Sequence, residues 1–246
     1  MKEARIFQIQ IGNEEQLATK NMVKGTKTRK ERTKIVNDEE FLEWSPYKSK
    51  LAAAIRSGLQ ILPIIKNSKV VCINLLEEST ILHISNIVDS GGSVFVIDVN
   101  KNKKSFLNKL VDTHKNIIPI YDAADELSFS SSMTGKVDAL YVDIPESEQI
   151  EQIVEKYGSL LKNEGFLMFV TKKDDAILES DIAGWMAEQR AGFDKIREIT
   201  TKLKSQFEIV QEINLGVNYV MEPYHKLHAF ILAQYLHIYC CKTPPS

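Results

Sequence analysis

The chain has 246 residues, of which 43% are hydrophobic and 26% are charged, and this composition excludes a disordered or fibrous protein. Its formal charge of −2, from 31 Lys and Arg against 33 Asp and Glu, excludes a uniformly basic, histone-like surface. Only three cysteines are present, without zinc-type spacing, and no apolar run approaches the roughly 20 residues of a membrane span. We therefore expect a cytoplasmic protein with reduced thiols and no membrane contact.

The amino-terminal region, residues 1–46, is predicted to be a small antiparallel β domain. Residues 5–11 have the pattern of a half-buried strand, with strict alternation of apolar and polar side chains over residues 7–11. Residues 20–34 carry seven Lys and Arg but only one acidic residue, Glu31. Such a run usually forms a solvated face, and otherwise it contacts phosphate or an acidic partner. The remaining residues, 47–246, are predicted to form a second domain.

The second domain alternates between short apolar strands and amphipathic helices, which is typical of a parallel sheet covered on both faces. A strand at 207–210 and the apolar run 229–239 then predict an antiparallel hairpin at the carboxyl end. This pattern predicts an α/β, Rossmann-like methyltransferase fold of about seven strands. Strands are predicted at 70–73, 94–97, 117–120, 137–142 and 166–171, and helices at about 48–62, 81–88, 103–113, 147–162 and 180–204.

Residues that follow the strands are the candidates for chemistry, because ligands of open α/β sheets bind beyond the carboxyl ends of the strands. Asp98 follows the second predicted strand, where its carboxylate can accept hydrogen bonds from the hydroxyls of a cofactor ribose. Asp143 follows the fourth strand, Lys172 the fifth, and His228 lies near the last. Each residue alone has an ordinary structural explanation, but together they indicate a site at one edge of the sheet.

The loop after the first strand, residues 74–80, contains no glycine. Nucleotide and S-adenosylmethionine sites normally have glycines here, which let backbone N–H groups approach the ligand. Glu77 and Glu78 bring negative charge to the position expected for the donor's carboxylate, and two charges about 4 Å apart repel by about 4 kcal/mol at an effective dielectric constant of about 20. The alternative is that both glutamates favour the start of a helix that Ser79 or Thr80 caps.

Five segments resemble motifs of the fibrillarin family, and they occur in the same order over nearly the whole chain. The resemblance is specific because the series as a whole is hard to obtain by chance. Each segment here is followed by the family motif that it resembles: WSPYKSKLAAAI at 44–55 and W-N-P-x-R-S-K-L-A-A-A-I, HISNIV at 83–88 and H-V-S-D-I-V, NIIPI at 116–120 and N-I-I-P-I, VDALYVDI at 137–144 and V-D-V-L-Y-V-D-I, and EPYHKLHA at 222–229 and E-P-Y-x-K-D-H-A.

The resemblance implies an S-adenosylmethionine-dependent RNA methyltransferase that modifies ribose 2′-hydroxyls. The family carries a lysine–aspartate–lysine–histidine tetrad, which falls on Lys50, Asp143, Lys172 and His228. A ribose hydroxyl is a poor nucleophile, and a lysine held by a carboxylate can help to remove its proton while the methyl group is transferred in line.

The resemblance also implies a cofactor site, although its loop departs from the family pattern. Asn74 and Glu78 replace the two glycines of the family's G-A-A-S-G-T-T loop. Asp98 matches the ribose-binding acid, whereas the acid expected to contact adenine aligns with Ala123, beside Asp122. The implied S-adenosylmethionine contacts are Asn74, Ser79, Thr80, Asp98 and Asp122.

Two functions of different classes follow from these observations. The first is the methyltransferase subunit of a box C/D ribonucleoprotein, which the resemblance links to a Nop-type scaffold protein, a kink-turn-binding ribosomal-type protein, a guide RNA and target rRNA or tRNA. The second is a fibrillarin paralogue that binds the cofactor weakly and serves as a scaffold or regulatory subunit. A methyltransferase for a non-RNA substrate is a third option, against which the tetrad and the basic segment argue. The resemblance implies a cytoplasmic location in an archaeal-type cell and a nucleolar one in a eukaryote.

Overall fold

The structure is a computed structural model, and its described residues form two β-sheets with helices packed on the larger one. Within these residues, no helix is long and apolar enough to cross a membrane. The predicted α/β class with a small amino-terminal sheet is confirmed. The structure describes residues 5–28, 31–73, 77–97, 104–120, 135–143, 149–172, 196–215 and 228–236.

The small sheet has four antiparallel strands, which are β1 (Ile6–Ile11), β2 (Glu14–Lys20), β3 (Thr33–Val36) and β4 (Glu39–Glu43). Their order across the sheet is β1-β2-β4-β3. Phe7 and Phe41 pack edge to face across it, with ring centroids 5.0 Å apart. Asn37 and Asp38 join β3 to β4 with φ angles of 50° and 62°, the left-handed conformation that a tight two-residue hairpin turn requires.

The large sheet and its helices follow the small sheet in the chain. The elements are α1 (Lys50–Arg56), β5 (Lys69–Ile73), α2 (Glu78–Val88), β6 (Ser93–Ile97), α3 (Lys104–Thr113), β7 (Ile117–Ile120), β8 (Val137–Asp143), α4 (Gln149–Tyr157), a 3-10 turn (Gly158–Leu160), β9 (Leu161–Lys172), β10 (Phe207–Asn214) and β11 (His228–Tyr235). The seven strands have the order β7-β6-β5-β8-β9-β11-β10. With β5 counted as the first strand, this order is 3-2-1-4-5-7-6, a doubly wound parallel sheet that ends in an antiparallel hairpin.

Each face of the large sheet is covered by apolar side chains, because successive residues of a strand point to opposite faces. One face, with Tyr141 and Phe230, packs against α1, α2 and α3. The other, with Leu140 and Phe169, packs against α4 and the helical residues 196–203. The double cover explains why the central strands are mostly apolar, as the sequence predicts.

Two predicted helices are shorter in the structure than the sequence pattern indicates. The helix predicted at 48–62 ends at Arg56, where Ser57 caps it and Gly58 turns the chain with a φ of +97°. The helix predicted at 147–162 ends at Tyr157. The apolar period continues past both ends because the next residues still pack on the core, and they are Leu59, Leu62, Leu160 and Leu161.

Two further predicted boundaries also change. Residues 161–165 belong to β9, so this strand is longer than the predicted 166–171. The N-cap position of α2 is occupied by Glu77, whose side chain makes no capping hydrogen bond, and not by Ser79 or Thr80, which lie inside the first turn. Of the helix predicted at 180–204, only residues 196–203 fall within the described chain, and they are helical.

Candidate active site

Lys50 and Asp143, 93 residues apart in the chain, form a buried ion pair at the carboxyl end of β8. The Lys50 ammonium donates hydrogen bonds of 2.8 and 2.9 Å to the two carboxylate oxygens of Asp143. The two side chains are only 8% and 2% exposed. Lys50 is the first residue of α1, which Ser49 caps by accepting a hydrogen bond from the Ala52 N–H. The structure therefore brings together two of the four residues predicted to be catalytic.

The alternation of β8 determines which groups surround this pair. Tyr141 and Asp143 lie two residues apart and so point to the same face of the sheet, where Cys72 is the register partner of Tyr141. Burial raises the pKa of the Cys72 thiol and of the Tyr141 phenol well above their usual values. Both groups are therefore neutral at physiological pH, and the ionisable chemistry of this face lies with Lys50 and the carboxyls.

Glu77 is a third member of the cluster, although nothing in the sequence connects it with Lys50. Its carboxylate accepts hydrogen bonds of 2.9 and 3.2 Å from the Lys50 backbone N–H, and it lies 3.8 Å from the Lys50 ammonium. Burial, and then repulsion by Asp143, raise the pKa of Glu77 to about 7, although Lys50 and Thr80 oppose the change. The sequence predicts that the charge of Glu77 lies beside the carboxylate of the methyl donor. In the structure the Glu77 carboxylate instead contacts Lys50.

The hydroxyls of Ser79 and Thr80, both predicted cofactor contacts, are engaged with other parts of the protein. Thr80 Oγ1 donates to Glu77 at 2.8 Å and lies 2.7 Å from Ser49 Oγ. Ser79 Oγ donates to the carboxylate of Glu31. These bonds fix the start of α2 against α1 on one side and against the segment that precedes β3 on the other.

Glu31, the one acidic residue of the basic segment, is buried between the small sheet and α2. Its carboxylate accepts the Ser79 hydroxyl and the Thr28 N–H and lies 3.6 Å from His83 Nε2. Burial alone raises the pKa of Glu31, but the interactions with His83, Ser79 and Thr28 outweigh it and lower the value to about 2. Burial lowers the pKa of the His83 imidazole, although Glu31 and Glu43 oppose the change. His83 stacks on Trp44, with ring centroids 4.8 Å apart.

The rest of the basic segment is partly paired and partly exposed. Arg32 binds Glu43, with its Nε 2.8 Å from the carboxylate, and Lys20 pairs with Glu39. Two lysines face solvent, which agrees with the predicted solvated face, and they are Lys24 and Lys27. Arg29 and Lys30 lie outside the described residues.

Lys172 and His228, the other two residues of the predicted tetrad, are register partners on neighbouring antiparallel strands. Asp143 pairs with Val170, two residues before Lys172, so the three backbone positions lie at the same end of β8, β9 and β11. The predicted cofactor contacts Asn74, Asp98 and Asp122 fall outside the described residues.

The strand order and the lysine–carboxylate cluster at the carboxyl edge define an α/β protein with a Rossmann-like methyltransferase fold. Residues 1–237 match the family model named Fibrillarin, and the chain belongs to the fibrillarin family. A relative from Pyrobaculum islandicum, named fibrillarin-like rRNA/tRNA 2′-O-methyltransferase, is 31% identical over 223 residues, which are 89% of this chain and 88% of the relative.

Solved structures of fibrillarins have the same fold as this chain. The Aeropyrum pernix fibrillarin in complex with natively bound S-adenosyl-L-methionine superposes with a TM-score of 0.71 at 25% identity, covering 93% of this chain and 94% of that one. The fibrillarin of a fibrillarin–Nop5p complex superposes with a TM-score of 0.70 at 23% identity, covering 95% and 98%, and it supports the fold alone.

Proposed function

We propose that this protein is the RNA ribose 2′-O-methyltransferase subunit of a box C/D ribonucleoprotein, with S-adenosylmethionine as the methyl donor and rRNA or tRNA as the substrate. The observation that carries the proposal is the buried Lys50–Asp143 pair at the carboxyl edge of the sheet in a chain of the fibrillarin family. The name of the Pyrobaculum relative supports the reaction, and the ligand of the Aeropyrum structure supports the donor.

The charge of the described cluster fits a cationic donor. One lysine faces two carboxyls, so the net charge of Lys50, Asp143 and Glu77 is +1 − 2 = −1 when both acids are ionised. A negative cluster attracts a sulfonium ion. S-adenosylmethionine, when bound, supplies an activated methyl group. The residues proposed to hold it are Asn74, Ser79, Thr80, Asp98 and Asp122, with the two hydroxyls acting through the position of α2.

Lys50 has the central role in the proposed mechanism. Its ammonium orients the ribose 2′-oxygen, and the Lys50–Asp143 pair takes up the hydroxyl proton as the methyl–sulfur bond of the donor breaks and the methyl–oxygen bond forms. Asp143 holds the Lys50 side chain at the reacting oxygen, where a displacement of about 1 Å can reduce the rate by about 100-fold. Lys172 and His228 complete the proposed tetrad on the neighbouring strands.

The proposed complex supplies the RNA specificity that a protein of near-neutral charge lacks. Guide pairing selects the nucleotide, a Nop-type scaffold docks the methyltransferase, and a kink-turn-binding ribosomal-type protein holds the guide RNA. The exposed lysines of the basic segment, Lys24 and Lys27, are positioned on the surface to contact RNA phosphates weakly. The proposed location is the cytoplasm of an archaeal-type cell or the nucleolus of a eukaryote.

Reconstitution tests the proposed function directly. The purified protein is combined with a Nop-type scaffold, a kink-turn-binding protein and a box C/D guide RNA, and transfer of labelled methyl groups to the guided ribose is measured. We expect transfer at the guided nucleotide and none when its ribose carries a 2′-deoxy substitution. A folded protein that binds the scaffold, but transfers no methyl group even at millimolar donor, is instead a scaffold subunit.

Glu78→Gly is expected to tighten the binding of S-adenosylmethionine. The substitution removes a negative charge from the start of α2 and restores the glycine found at this position of the family loop. Because the repulsion falls with distance, we expect a decrease in Kd of about tenfold, equivalent to about 1.4 kcal/mol. Calorimetric titration measures the change, and Glu78→Gln separates the loss of charge from the gain of backbone freedom. An unchanged Kd in both variants means that Glu78 points away from the donor.

A further inference from the structure

We propose that Glu77 is a positioning residue for methyl transfer: its carboxylate fixes the start of α1 and the side chain of Lys50 in the orientation that the reaction requires. This inference rests on the proposed function and adds a residue to its site. Glu77 occupies the place of the serine in the family's G-A-A-S-G-T-T loop, so the carboxyl is a feature of this chain.

The hydrogen bonds of Glu77 connect the two helices that begin at the site. Glu77 precedes the first residue of α2, yet its side chain does not cap that helix. The carboxylate instead accepts the Lys50 backbone N–H with both oxygens, at 2.9 and 3.2 Å. An acceptor at the first N–H of α1 satisfies a donor that has no partner within its own helix. Glu77 thus sets the direction in which α1 starts and the backbone position from which the Lys50 side chain extends.

The same carboxyl also acts on the far end of Lys50. The ammonium lies 3.8 Å from Glu77 and 2.8 Å from Asp143, so two acids on different elements hold one cation. Glu77 is 13% exposed and Lys50 is 8% exposed. Charges that are so shielded from water interact more strongly than charges at the surface. Removing one acid therefore changes both the position and the local field of the ammonium.

The groups that face Glu77 make its charge sensitive to pH. Lys50 on α1, Asp143 and Tyr141 on β8, and Thr80 on α2 surround the carboxyl, with Cys72 on β5 beyond Tyr141. Burial and the charge of Asp143 raise the pKa of Glu77 to about 7. The ionised form accepts the Lys50 N–H and the Thr80 hydroxyl and attracts the ammonium, whereas the protonated form does so less well. Methyl transfer is accordingly expected to rise with pH around 7 through this one group.

The experiment compares wild type with Glu77→Gln in the reconstituted complex as a function of pH. Wild type is expected to show a one-proton rise in kcat with a midpoint near pH 7. Glu77→Gln is expected to lose this rise and to be about tenfold slower at pH 8, because the amide replaces a hydrogen-bonded charge. Glu208→Gln, the same substitution on the exposed edge strand β10, keeps the wild-type profile. If the rise persists in Glu77→Gln, another group titrates and the proposal is wrong.

Thr80→Val provides a second variant that preserves side-chain volume. Loss of the Thr80 hydroxyl removes a donor to the Glu77 carboxylate, so the midpoint is expected to move to higher pH. A midpoint that stays in place contradicts the proposal, even if Glu77→Gln fails to fold.

Thermal unfolding without substrate separates this inference from the proposed function. A folded pKa raised from 4.5 to about 7 stabilises the protein fully below about pH 4.5, and the stabilisation is lost as the pH rises through 7. The Tm of wild type minus that of Glu77→Gln should therefore fall by several degrees between pH 5 and pH 8. If this fall is seen in a protein that transfers no methyl group, only the proposed function is wrong. A flat difference shows that Glu77 does not titrate in this range and overturns the inference.

Discussion

Asp143→Ala is expected to abolish methyl transfer, with a loss of at least about 100-fold in kcat. Asp143 contributes two of the hydrogen bonds that hold the Lys50 ammonium, and the remaining acid, Glu77, is 3.8 Å away. Without Asp143 the ammonium moves toward Glu77 and away from the reacting oxygen. Because Asp143 has no predicted contact with S-adenosylmethionine and acts on the sulfonium only through its charge, the Kd of the donor is expected to rise far less than kcat falls. A single-turnover assay and a calorimetric titration measure the two quantities.

The same substitution is expected to destabilise the fold by about 3 kcal/mol, because it leaves a lysine that is only 8% exposed without its closest partner. Asp138→Asn is a matched control at the other end of β8. The Asp138 carboxylate binds Lys162 at 2.6 Å, but both side chains are partly exposed, so we expect a loss of no more than about 1 kcal/mol and unchanged methyl transfer. Wild-type turnover by Asp143→Ala would falsify the assignment of the tetrad.

Trp44→Ala is expected to give the largest loss of stability, about 3–5 kcal/mol in the free energy of unfolding and roughly 10 °C in Tm. The indole is fully buried, stacks on His83 at 4.8 Å and lies in the core shared with α1 and α2. Its removal leaves a cavity that the rigid ends of β4 and α1 cannot close. Chemical denaturation followed by circular dichroism measures the change.

Two further variants test the cause of this loss. Tyr47→Ala removes an aromatic ring that is 49% exposed, so its cost is expected to stay below about 1 kcal/mol. Trp44→Phe keeps a ring against His83, and the Trp44 Nε1 has no hydrogen-bond partner among the described residues. We therefore expect an intermediate loss for Trp44→Phe. Equal losses for the alanine and phenylalanine variants contradict the packing explanation.

The fold could be predicted from the sequence because its signals are local. Strands of the large sheet are short apolar runs, and their alternation with helices determines the class. Helix ends were less predictable, since Leu59 and Leu62 continue the apolar period of α1 after Gly58 has turned the chain. The apolar period marks the residues that pack on the core, and this packing continues past the end of the helix.

The site was predictable where a residue follows a strand or lies in a motif, and both conditions hold for Asp143 and Lys50. The position of Glu77 was not predictable, because a glutamate before a helix usually faces solvent or the helix dipole. Its contact with Lys50 depends on how α1 and α2 meet. Glu31 was missed for a similar reason, since one acid within a basic run is typical of a solvated surface and nothing local indicates its burial.

The burial of Glu31 has a consequence for how the protein unfolds. Thr19 of β2 and Glu31, which lies just before β3, bind His83 and Ser79 of α2. If the small sheet separated alone, it would leave these groups without partners and expose Trp44 to water, at a cost of several kcal/mol. The small sheet and α2 should therefore open as one cooperative unit, with amide protons that exchange at a common rate. Contacts made on the outer face of the small sheet would then stabilise the helix at which the site begins.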